Sequence, residues 1–129
     1  MAMLRKENTL FERDEKGELI PQVVKLEIGE DNKLYDEIKD SEIMIIPMTR
    51  GEIKRIFSFI KSDKEEKDVD EELIFNHCVE PKYTKDEIKV MKPEFVTPIV
   101  DTILKHSGLD NTKPKKQAMQ EAEDDFSKN

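Results

Sequence analysis

The 129-residue sequence predicts a mainly α, α+β fold: a small bundle of about four helices with a short N-terminal β-hairpin and a disordered C-terminal tail. Three observations point there. Two short apolar runs with strand character come first. Three later segments open with the same helix N-capping device. The composition, 40% charged against 36% hydrophobic, leaves a modest core flanked by polar chain. A chain of this length suits one domain. The predicted organisation is a flexible arm over 1–20, a single globular domain over 21–109 and the tail over 110–129. Within the domain, the hairpin takes 22–48 and the helices 50–109.

In order, the arm is polar with scattered apolar residues, Leu4, Leu10 and Phe11. After Pro21, "QVVKLEI" alternates Val24, Leu26 and Ile28 with polar residues, the period of a half-buried strand. "SEIMIIPMT" supplies a β-branched run from Ile43 to Met48. Pro47 has no N–H to donate and belongs at the end of that strand. The polar linker between the runs has room for a turn of helix. Two strands alone are marginal and must pack on the helices.

"MTRGEI" starts the first long helix. Thr49 is its N-cap, Glu52 the capping-box partner, and Met48 with Ile53 the hydrophobic staple. Ile53, Ile56, Phe57 and Ile60 then form an apolar stripe. "VDEELI" offers Asp70 as cap, with Val69 over Ile74, and predicts a helix over 70–79. "YTKDEI" repeats the full device with Thr84, Glu87, Tyr83 and Ile88. Each cap contributes about 1 kcal/mol. The caps place helix starts near 50, 71 and 85. "TPIVDTILKHSG" predicts a last helix from Pro98, capped by Thr97 and closed by Gly108 in a left-handed C-cap, with a separate turn over 93–96. Phe95, Val96, Ile99, Val100, Ile103 and Leu104 line its apolar side. Beyond Leu109 the chain is polar, with a nascent helix expected over 116–126.

The net charge of −8 and the pI near 4.9 argue against nucleic acid as a partner. The stretch "SDKEEKDVDEE" alone holds seven acids against two lysines. It reads as a soluble linker. A calcium loop is excluded because no glycine stands at the sharp turn such a loop needs. With one cysteine there is no internal disulfide, and a reducing cytosol fits best. No apolar run reaches the roughly 18 residues of a membrane helix, and no apolar h-region follows the basic pair near the start, so cytoplasmic residence is expected.

His77 and Cys78 are adjacent, which invites a catalytic reading. Neighbours on a helix point about 100° apart, so His77 is poorly placed to activate the thiol. One cysteine and two histidines without paired spacing make no zinc site. Packing is the expected role of both, and His106 is expected to complement the carbonyl end of its helix. There is no glycine-rich phosphate loop and no convergent cluster of catalytic groups. No enzyme activity, cofactor or metal is expected.

From about residue 40 to 109, the order of phrases resembles the tail assembly chaperones of long-tailed bacteriophages. In that family a strand of the type "I.PLT..E" leads into a helix. An acidic linker follows, then a helix ending in "V.EP.(L/Y)T.EE", and a final helix ending near "SGL". The matching residues are Ile46-Pro47-Met48-Thr49, Val79-Glu80-Pro81 with Tyr83-Thr84, and Ser107-Gly108-Leu109. The resemblance makes "HCVEP" a corner between two helices.

It implies a non-enzymatic chaperone acting in the host cytoplasm. Such a protein coats the tape-measure protein, keeps it soluble, helps recruit the major tail tube protein and is absent from the mature virion. Self-association is a further expectation, as is a longer frameshifted product near Lys115-Lys116. A helical client needs an apolar groove. The candidate partner-binding residues are Ile56, Phe57, Ile60, Phe75, Phe95 and Ile99, with core packing as the competing role of each. Phe75 is the best candidate, because Leu73, Ile74 and Cys78 already define the inward face of its helix. The alternatives are an acidic DNA-mimic inhibitor of a host enzyme, supported only by the acidic run, and a structural tail component.

Overall fold

A computed structural model describes residues 3–61 and 66–109. The expected tail over 110–129 and its nascent helix lie outside the described residues, as do residues 62–65 at the start of the acidic stretch; from Glu66 on, that stretch is helical and not the expected linker. The fold is α+β, with strands β1 (Gln22–Lys25), β2 (Glu42–Ile45) and β3 (Cys78–Glu80). The helices are α1 (Tyr35–Ile38), α2 (Arg50–Lys61), α3 (Glu66–His77), α4 (Lys85–Lys89) and α5 (Pro93–His106). Two of these five are single turns, so the expected four-helix bundle is corrected to a mixed arrangement of helices on a small sheet.

The sheet is antiparallel in the order β1-β2-β3. Val24 pairs with Ile43 and Val23 with Met44. Ile45 pairs with Cys78 across a register shift beside Met44. The alternation seen in the sequence follows from one face being buried: Val24, Ile43, Ile45 and Cys78 join the core, while Val23 is exposed. The third strand is a correction. The predicted helix over 70–79 ends at His77, and the next three residues extend along β2. Three residues carry too little periodicity to announce a strand, and β2 supplies the pairing edge that makes them one. Glu80–Pro81 is a cis peptide.

The helix starts follow the predicted caps at two of three places. The Thr49 hydroxyl accepts from the Glu52 N–H at 3.3 Å. At α4 the capping box is complete in both directions. The third start is corrected: α3 is already helical at Glu66, so Asp70 lies inside it and Val69 packs into the core.

The last helix is also corrected. α5 runs unbroken from Pro93, with Pro98 inside it and no side-chain cap at its start. Pro98 cannot donate to the carbonyl four residues back, which is that of Glu94. The Asn32 side-chain amide donates to that carbonyl at 3.1 Å, replacing the missing partner from outside the helix. One turn on, the buried Thr102 hydroxyl donates to the Pro98 carbonyl at 2.7 Å and accepts from the Glu27 N–H at 2.8 Å. The β1–α1 connection thus mends the helix at its proline. Gly108, at φ 81°, ends α5 as expected. The Gly108 N–H bonds the Lys105 carbonyl and the Leu109 N–H bonds the Leu104 carbonyl, a Schellman closure.

The N-terminal segment, expected as a flexible arm, holds a small hairpin. Arg13 bridges Leu19 around a turn with Gly17 at φ 82°. The Asp14 carboxylate accepts from the N–H groups of Lys16 and Glu18. Asp14 with Gly17 three residues on is the turn signal that was there to be read.

Candidate functional site

The six residues proposed for partner binding fall in different places. Ile56, Phe57 and Ile99 are 0%, 4% and 3% exposed and belong to the core, which corrects their assignment to a surface groove. The reason is the stripe itself. On an amphipathic helix the apolar side is the side that packs, and α2 packs on α3. Phe95 is half-buried against the same core. The side chain of Ile60 lies outside the described residues. Phe75 is 39% exposed, with the Lys85 ammonium 5.0 Å from its ring centroid.

Phe75 opens a seam between α3 and α4. Glu71 is one helical turn before Phe75, and Ile88 is about one turn after Lys85. Glu71 and Ile88 line a depression of about 280 Å³, together with Met91, Pro93 and Val96. Asp70, Lys89 and Thr97 complete its lining. Val90, between the lining residues Lys89 and Met91 in sequence, is 82% exposed. Half-buried Met91 and Val96 thus give the depression an apolar side, while Phe75 on α3 and Val90 just after α4 are exposed. Val90 and Met91 were not singled out from the sequence. The signal was faint: two apolar residues between lysines in "KVMK", after a helix too short to show a stripe.

A second, polar depression of about 450 Å³ lies between the start of α2 and the end of α3. Glu52, Arg55, Glu72, Asn76 and His77 line it with Ile46, and Leu19 forms part of its wall. The Arg55 guanidinium forks onto Glu52 at 3.2 Å and 3.1 Å and reaches Glu72 at 3.3 Å. The Arg55 hydrogen bond holds the Glu52 carboxyl below its ordinary value. His77 is buried, and its Nδ1 lies 2.8 Å from the Ile46 carbonyl. Burial pushes its imidazole below the ordinary value, against the opposing pull of Glu52.

Cys78 takes no part in this pocket. It packs into the core, and its Sγ–H donates to the Pro81 carbonyl at 3.2 Å. Burial pushes the thiol up to about 11, so it stays protonated and poorly nucleophilic at neutral pH. Side chains at 77 and 78 diverge because the chain passes from helix to strand between them. Among the described residues, no group of three or more His, Cys, Asp or Glu is placed to hold a metal ion. Nor is any helix there long and apolar enough to cross a membrane.

Comparison with known protein families, curated proteins and solved structures finds no match to this chain.

Proposed function

We propose that this protein is a phage tail assembly chaperone that shelters an apolar helical segment of the tape-measure protein on the α3–α4–α5 seam. The observation that carries the reading is apolar surface on α3 to α5, with Phe75 and Val90 exposed and half-buried Met91 and Val96 lining the depression, on a heavily charged chain. Such a surface suits an amphipathic helix, which buries its stripe while the acidic exterior keeps the complex in solution. The order of the phrases around Pro47, Pro81 and Gly108 supports the same family. Those phrases also mark the three junctions that shape the fold: the entry to α2, the exit from β3 and the end of α5. A role in recruiting the major tail tube protein belongs to this reading.

Co-expression with the tape-measure protein of the same genome tests it. The expected result is a soluble complex that co-purifies, with the tape-measure protein aggregating when expressed alone. A tape-measure protein that aggregates equally in both cases removes the proposal. Mass spectrometry of finished particles separates the rival reading of a structural tail component, because a chaperone is missing from them.

A further inference from the structure

Residues 46 and 77 are joined twice. The Ile46 N–H donates to the His77 carbonyl at 2.8 Å, and the His77 Nδ1 meets the Ile46 carbonyl at 2.8 Å. A carbonyl oxygen only accepts, so the neutral ring carries its hydrogen on Nδ1 and leaves a lone pair on Nε2. That Nε2 is buried without a hydrogen-bond partner and stands 3.5 Å from Glu52 Oε2. Two acceptors therefore face each other across a gap slightly too long for a hydrogen bond. Glu52 is meanwhile held by Arg55 three residues along the same helix, and Arg55 also touches Glu72 of α3.

The charged groups around the imidazole are few. From α2 come Glu52 and Arg55, and from α3 comes Glu72. The end of β2 contributes the Ile46 carbonyl, and the N-terminal hairpin contributes uncharged Leu19.

We propose that His77, Glu52 and Arg55 form a proton-operated switch at the junction of α2 and α3, in which Glu52 changes partner. With the ring neutral, Glu52 is paired inside α2 by Arg55. One proton from solvent on Nε2 turns the facing acceptor into a donor. Closing the gap by roughly half an ångström gives a charge-assisted N–H···O bond. Glu52 then ties α2 to α3 directly, and Arg55 is left to Glu72, which it already reaches. The Nδ1–H bond to Ile46 is unchanged, so the ring stays pinned while its other side changes partner. This inference does not depend on the tail-assembly reading, and its test needs no partner protein.

The test is nitrogen-15 NMR of the full chain in a His106→Gln background, following the imidazole nitrogens and the Arg55 Nε–H across pH. The expected neutral form carries its hydrogen on Nδ1. On acidification, the Nε2 and Arg55 signals should move with one shared midpoint while the backbone spectrum stays folded. Glu52→Gln should lower the His77 midpoint and still the Arg55 signal. Arg55→Gln should raise the midpoint, since it removes a neighbouring positive charge. It alters a partly exposed side chain, so it carries the comparison if Glu52→Gln does not fold. A neutral ring protonated on Nε2, an Arg55 signal that ignores the His77 midpoint, or no His77 titration before unfolding would each overturn the switch.

Discussion

Single residues at the centre of this fold carry two connections each, and Thr102 is the clearest case. It is fully buried, and its hydroxyl serves both the Pro98 carbonyl and the Glu27 N–H. Thr102→Val keeps the shape and strands the Glu27 N–H. We expect a loss of about 1 kcal/mol in urea unfolding, since the stranded donor is only partly buried. His77 makes stability depend on pH. Burial holds its imidazole in the folded chain below its value of about 6.5 in the unfolded chain. The unfolded chain therefore takes up a proton first as pH falls. The stability contributed by the neutral ring is full above about 6.5 and is lost as pH falls from there through the lowered folded value. Chemical denaturation at steps from pH 7.5 downward should show this decline in the wild type. His77→Gln, which keeps an amide N–H for the Ile46 carbonyl, should flatten it in that window. Glu52 adds its own loss at lower pH, because Arg55 depresses its carboxyl in the fold.

Secondary-structure elements show which parts of the fold were legible in the sequence. Capping chemistry is local, so Thr49, Thr84 and Gly108 marked α2, α4 and the end of α5 from the sequence alone. Cys78–Glu80 became a strand because β2 lay beside it, a long-range cause invisible in three residues. Asp70 looked like a cap but lies within α3, where Val69, Leu73 and Ile74 gain core burial from a longer helix. Pro98 looked like a helix start. Asn32, 62 residues away from Glu94, supplies the donor that lets α5 run through it. A double-mutant cycle tests that compensation. Asn32→Ala should cost about 1 kcal/mol or somewhat more in the wild type, as lost hydrogen bonds do. It should cost less in a Pro98→Ala background, where the restored N–H can serve the Glu94 carbonyl. Equal costs in the two backgrounds would mean that the Asn32 bond does not replace the one proline removes.

At the scale of the whole molecule, the candidate site was only partly readable. Apolar residues on a helical stripe were the visible signal, and a stripe identifies the inward side as readily as an exposed groove. Hence Ile56, Phe57 and Ile99 belong to the core, while Phe75, off that stripe, reaches the surface. Ile56→Asp should unfold the domain, since it places a charge where no solvent reaches. Phe75→Asp and Val90→Asp should leave the circular dichroism and melting curve close to wild type. The most direct test of the account is the binding of these two surface variants to the tape-measure protein, measured beside their folding. We expect both to stay folded and to lose binding by about tenfold or more, the scale of an interface anchor. Folded variants that bind the tape-measure protein as the wild type does would contradict the claim that the α3–α4–α5 seam is where the client is sheltered.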